Sequence, residues 1–169
     1  MIVPATARAD MSGPSPVSTV PPVSTVSAAA SGVRSGWQWP LTGFSVVEPF
    51  VAPAHRYGPG HRGVDLRPWD AAAVLHAPAS GVVAFAGPVA GRGILTIDHG
   101  DGLVTTLEPV SDAVPAGTAV SAGDPVATIA VGGHAAPGAV HFGVRLHGEY
   151  INPMLLLGGV PRAVLLPCC

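Results

Sequence analysis

From Trp37 onward, apolar and polar positions alternate in short runs that Gly, Pro or Asp interrupts every few residues. Phe44, Val46, Val47 and Phe50 open this series with strand-like content, and Trp37 and Trp39 just before them are placed to anchor the first edge of a sheet. Val74-Leu75-His76 follows, then Val82-Val83-Ala84-Phe85-Ala86, a strand expected to end at Gly87-Pro88. Gly91-Arg92-Gly93 reads as a turn before Ile94–His99, and Gly100-Asp101-Gly102 as a hairpin signal before Leu103–Leu107. Val120 and Pro125–Ala130 come after the Ala116-Gly117 and Ala122-Gly123-Asp124 turns. No helical period persists beyond about two turns, so the pattern predicts an all-β, compact domain of antiparallel hairpins. In the last predicted strand Val140, Phe142 and Val144 share one face and Ala139, His141 and Gly143 the other. Asn152-Pro153 then opens a short helical turn through Leu157, placed to close one end of the sheet.

Residues 1–36 break this pattern. Pro, Ser, Thr, Val and Ala dominate, Pro16–Pro21 is nearly repeated as Pro22–Ser27, and no aromatic residue precedes Trp37. Such a segment buries too little to offset its ordering entropy, and a disordered linker is expected. Three parts result: a linker at 1–36, a domain at 37–160 and a tail at 161–169. Ala7-Arg8-Ala9 before Asp10 resembles the end of a cleaved export signal, so a secreted or cell-wall-associated location is expected. The terminal Cys168 and Cys169 have no other cysteine to pair with and receive no metal role. Charged residues are 11% of the chain and the net charge is −2, which leaves no basic field for nucleic acid. No run approaches the roughly 18 apolar residues of a membrane span.

The sharpest chemical signal is His61-Arg62-Gly63-Val64-Asp65, with a lone His141 far downstream in an alternating apolar run. Together these offer three ligands to one divalent metal. In a straight strand, residues four apart sit about 13 Å from each other on one face, too far to share an ion. Gly60, Gly63 and Pro68 argue against a helix, so chelation requires a bend, expected as a turn hinged at Gly63. The small neighbours of His141 on its own face, Ala139 and Gly143, leave room for a ligand.

Five blocks in order, Gly60–Asp65, Ala77–Val83, Asp98–Leu103, Gly117–Asp124 and Val140–Arg145, resemble the lysostaphin-like (LytM-type) zinc endopeptidases over about residues 37 to 157. The resemblance implies an antiparallel β-sheet domain with a groove, one zinc ion held by His61, Asp65 and His141, and hydrolysis of peptide bonds in peptidoglycan. Two positions depart from the family pattern. Ala139 stands where a second histidine usually precedes the last ligand, and Pro109 where another usually ends the strand after the His-Gly-x-Gly turn. Losing a positioned acid or base costs about 10²- to 10⁴-fold in rate.

Candidate substitutes each carry two readings. Glu108 presents a catalytic carboxylate to the groove or is a solvated loop residue; His134, in the Gly132-Gly133-His134 loop, swings towards the metal or lies on the surface. Arg92 binds a substrate carboxylate or sits on a hairpin tip. His99 is expected to be structural, its ring bonded to a loop backbone. Two functions follow: a zinc peptidase of the cell wall with altered catalytic groups, or a non-catalytic wall-binding or regulatory module that keeps the fold and the metal site.

Overall fold

The computed structural model describes residues 36–158. Most of the expected linker, and the tail with Cys168 and Cys169, lie outside the described residues. Antiparallel strands dominate, as the alternation predicts. The larger sheet has eight strands, in the order β1 (Phe44–Glu48), β2 (Val64–Pro68), β10 (Val140–Leu146), β6 (Leu103–Glu108), β5 (Arg92–Asp98), β4 (Gly81–Val89) and β8 (Ala119–Val120), with β11 (Glu149–Ile151) paired to β10. A three-stranded sheet is formed by β3 (Val74–His76), β9 (Pro125–Ile129) and β7 (Val110–Ser111).

β10 is central because alternate residues serve two purposes. Val140, Phe142 and Val144 are fully buried on one face, where Val64 and Leu66 of β2, Leu107 of β6 and Leu95 and Ile97 of β5 join them in the core. The partners across the strands carry the same parity. Phe142 pairs with Val64 and Leu107, while His141 pairs with Asp65 on β2 and Glu108 on β6. Residues directly opposite in an antiparallel ladder share a face. Asp65, His141 and Glu108 therefore form one row on the face away from the core.

Several aromatic residues pack around the β1 edge of the sheet. β1 is an edge strand, and Trp37, Trp39, Phe44 and Phe50 pack partly buried against the core, with Trp39 reaching the Phe44 and Phe142 rings. The four-residue helix α1 (Met154–Leu157) follows Asn152, whose side-chain Oδ1 accepts from the Met154 N–H at 3.0 Å, and it buries Leu156.

Three expectations need correction. β4 does not stop at Gly87-Pro88 but runs through to Val89, with Pro88 opposite Gly93. β8 pairs only with Gly81 and Val82, so the Pro88 end of β4 has a neighbour on one side only, an edge position where a missing N–H is tolerated. The β4–β5 turn is Ala90-Gly91, not Gly91-Arg92-Gly93. Val89 pairs with Arg92, and the two loop residues have φ of 48° and 82°, the signature of a type I′ hairpin. Arg92 is thus the first residue of β5, not the tip of a turn. Finally, β10 is not the last strand: a second two-residue turn, His147-Gly148, with φ of 50° and 87°, returns the chain as β11.

Ala90 carries a Cβ in the left-handed region, a conformation that costs an L-residue about 1–2 kcal/mol and that Asn tolerates better. Ala90→Asn is expected to raise unfolding stability by roughly 0.5–1 kcal/mol, measured by urea denaturation. Unchanged or lowered stability would contradict the turn assignment.

Candidate metal centre and its pocket

The row Asp65–His141–Glu108 supplies two of the expected ligands, and the loop before β2 supplies the third. Val51 and His61 exchange both backbone hydrogen bonds at 2.9 Å, which fixes the His61 backbone beside the sheet. The His61 Nδ1–H donates to the Pro49 carbonyl at 2.9 Å. A carbonyl only accepts, so Nδ1 holds a proton, and in the neutral ring Nε2 is the nitrogen that carries the lone pair a metal would take. Nε2 lies 3.1 Å from Asp65 Oδ1 and 3.1 Å from His141 Nδ1, and His141 Nδ1 lies 2.8 Å from Asp65 Oδ1. Tetrahedral bonds of about 2.0–2.1 Å place neighbouring donors about 3.3 Å apart, so the triangle is close to the size one ion needs.

Burial sharpens the case for a cation. His61, Asp65 and His141 are all buried, and Asp65 Oδ2 is a buried oxygen with no hydrogen-bond partner among the described residues. Burial pushes the Asp65 carboxyl up, but the His141 hydrogen bond and the charges of His141, His61 and His134 outweigh it, and the group ends below the usual carboxylate range. The site therefore holds a carboxylate ready to take a metal. Two imidazoles and one carboxylate are a donor set typical of zinc.

Gly63 has a different role from the one expected. It does not adopt positive φ; instead, a Cβ there would meet the Phe142 carbonyl oxygen at 2.5 Å and His141 Cε1 and Nε2 at 2.6 Å. Glycine is required for the close approach of the His141 ring, not as a left-handed hinge. Gly143, the neighbour of His141 on its own face, leaves 3.3 Å between its virtual Cβ and Nε2 of the same ring.

The triangle lies at an open cavity of about 410 Å³ whose lining includes Arg92, Ile94, Thr106, Glu108, His134 and Tyr150. Glu108 is not a solvated loop residue. It is 7% exposed at the end of β6, its Oε2 accepts from Arg92 Nε at 2.8 Å, and its Oε1 lies 3.5 Å from His134 Nδ1. His134 is half exposed yet turned inwards, its ring centroid 4.8 Å from that of His141. One ligand-type atom from each of His61, Asp65, His134 and His141 lies within 4.8 Å of the others. Arg92 lines the cavity and is held by Glu108, and Gly133 packs so closely on it that a Cβ would meet Arg92 Cδ at 2.6 Å. Arg62, Thr106 and Tyr150 were not singled out from sequence. For Thr106 the signal was available, since it lies two residues from Glu108 on the same strand and so shares its face.

His99 is structural, as expected. Its Nδ1–H donates to the Ser80 carbonyl at 3.0 Å and its Nε2 accepts from the Thr105 hydroxyl at 2.7 Å. Burial pushes its pKa down, so it is held neutral away from the metal centre.

An antiparallel sheet presenting a His-Asp-His triangle in an open pocket is an arrangement able to hold a metal ion. The sequence profile of Peptidase family M23 matches residues 59–153, and the chain belongs to that family, which is zinc-dependent. The chain is 37% identical over 143 residues to the uncharacterized proteins Rv2891 of Mycobacterium tuberculosis and Mb2915 of Mycobacterium bovis. The match takes in 79% of this chain but only 55% of those proteins, so the chain spans about half the length of the curated relatives it matches. Among solved structures, lysostaphin superposes with a TM-score of 0.60 at 21% identity, covering 79% of this chain and 58% of that one. A point mutant of the catalytic domain of the prophage-encoded M23 protein EnpA from Enterococcus faecalis superposes at 0.55 and 23% identity, covering 65% and 88%. A chain of the SpoIIIAH–SpoIIQ complex does so at 0.57 and 23%, covering 70% and 97%. These likenesses establish the lysostaphin-like fold.

Gly63→Ala is expected to weaken zinc binding at least about tenfold by displacing the His141 ring, measured by competition with a chromophoric chelator. Affinity equal to that of the unmodified protein would show that His141 does not need the space.

Proposed function

We propose that this protein is a zinc-dependent endopeptidase acting on the peptide stems or cross-links of bacterial peptidoglycan, outside the cytoplasmic membrane. The observation that carries the reading is the convergence of three donor atoms on an open cavity whose wall presents Glu108 and His134. His61, Asp65 and His141 would hold the ion. Zinc bound there supplies a Lewis acid for the scissile carbonyl and a water of lowered pKa.

The chain's own residues then divide the remaining work. Arg92 holds Glu108 through Oε2, which leaves Oε1 facing His134 and the cavity. In this reading Glu108 takes the proton of the attacking water at Oε1 and passes it to the leaving amine. His134, at the cavity mouth, donates a hydrogen bond to the oxygen on which charge develops. Together they stand in for the histidines that Ala139 and Pro109 replace, and Arg92 acts as a positioning residue for Glu108.

A second reading is a non-catalytic module that keeps the fold and the ion to bind wall peptides or a protein partner. It is favoured by Ala139 and Pro109, and by the pairing of Glu108 with Arg92, which compensates the charge a base would use. Similarity to a chain of the SpoIIIAH–SpoIIQ complex shows only that the same fold occurs within a protein assembly.

Incubation of zinc-loaded protein with purified peptidoglycan, with released fragments measured by mass spectrometry, separates the two. Glu108→Gln is expected to lower the rate by about 10²- to 10⁴-fold with zinc content unchanged, and His141→Ala to lose both zinc and release. Equal release by the unmodified protein and His141→Ala would end the peptidase reading. Full activity in Glu108→Gln would remove Glu108 from the mechanism.

A further inference from the structure

Beside the metal pocket lies a second groove of about 540 Å³, lined by Arg56, Tyr57, Arg62, Arg145, Glu149 and Tyr150, among others. Arg62 and Tyr150 line both spaces, so the groove adjoins the metal pocket. Its charge is net positive, three arginines against Glu149, and among the described residues no carboxylate stands within 4.0 Å of the Arg56, Arg62 or Arg145 guanidinium. In a chain whose net charge is −2, gathering three unpaired arginines in one concavity is a specific arrangement.

The three are also held in place. Arg62 Nη2 donates to the Arg56 and Gly58 carbonyls at 2.9 and 3.1 Å, which braces the loop carrying Arg56 and Tyr57. The Arg56 guanidinium lies 5.9 Å from the Tyr57 ring centroid, and that of Arg145 lies 5.9 Å from the Tyr150 centroid. Arg145 and Tyr150 are directly opposite on β10 and β11, so the sheet register sets that pair. Arg145 Nε is a buried donor with no partner among the described residues.

We infer that this groove is a carboxylate subsite: it binds a free carboxylate that hangs off the peptide backbone, such as the α-carboxylate of a γ-linked glutamate, next to the bond held at His61, Asp65 and His141. The inference rests on the peptidase reading for the position of the bond and adds the substrate class, an acidic peptide with a free carboxylate. It is separate from Arg92, whose Nε is taken by Glu108. A peptide is favoured over a phosphate polymer because the groove adjoins the metal pocket through Arg62 and Tyr150, so a peptide held at the metal site would extend into it.

The test is fluorescence anisotropy of the zinc-loaded full chain with a fluorescein-labelled L-Ala–D-isoGlu–L-Lys–D-Ala peptide, C-terminally amidated, against its D-isoglutamine counterpart, with mass spectrometry confirming that the probe stays intact. The acid form is expected to bind about tenfold more tightly than the amide, as one charge-assisted pair provides. Arg56→Gln and Arg145→Gln are each expected to remove most of that preference. Arg56 lies in an exposed loop, so its variant tests the subsite even if Arg145→Gln fails to fold. Equal affinity for acid and amide, or an unchanged preference in Arg56→Gln, would overturn the inference. So would tighter binding of a glycerol phosphate oligomer than of either peptide. Failure here is distinguishable from failure of the peptidase reading: preference for the acid without fragment release keeps the subsite and ends the enzyme, and fragment release without preference does the reverse.

Discussion

The pairing of β10 with β2 on one side and β6 on the other places Asp65, His141 and Glu108 side by side. Side chains alternate between faces of a sheet, so a slip of one residue in either pairing would send one of these groups into the core and bring Val64, Leu107 or Phe142 to the surface. The buried face makes that slip expensive, because Phe142, Leu66 and Leu107 would each lose full burial, roughly 1.5–3 kcal/mol apiece. Hydrophobic packing on one face thus fixes the geometry of polar groups on the other. The site depends on the core without sharing residues with it.

That arrangement concentrates unfavourable groups where they can act. A buried carboxylate oxygen with no partner among the described residues is destabilising alone, and a bound cation would offset it. Glycine at 63 gives up a side chain so that the His141 ring can approach the backbone. The Pro49 carbonyl fixes the His61 tautomer. Around the triangle, Arg92 holds Glu108 and the Gly132-Gly133 loop folds His134 back towards the ligands, so the groups beyond the metal also come from rigid strands and a braced loop.

Much of this was legible in the sequence because the information was local. The alternation in Val140–Val144 gave both the core face and the outward His141, and His61 and Asp65 were found from their spacing with the glycine between them. The resemblance to lysostaphin-like enzymes supplied the order of blocks and the expected zinc. What escaped depended on register or on distant parts of the chain. Glu108 looked like a loop residue beside Pro109 because only the pairing of β6 with β10 shows that it lies opposite His141. Gly87-Pro88 reads as a stop, but a proline at the edge of a sheet costs no ladder hydrogen bond. The Ala90-Gly91 turn lacked the Asn-Gly dipeptide that marks type I′ hairpins. Arg56 and Arg145 carry no local pattern; the fold brings them to one groove.

The proposed ligation of one zinc ion by His61, Asp65 and His141 is tested by zinc X-ray absorption of the protein loaded with one equivalent. A shell of nitrogen and oxygen donors at about 2.0 Å with the multiple-scattering signature of at least two imidazoles is expected, and its loss in Asp65→Asn. Sulfur in that shell, or the same spectrum from Asp65→Asn, would contradict it.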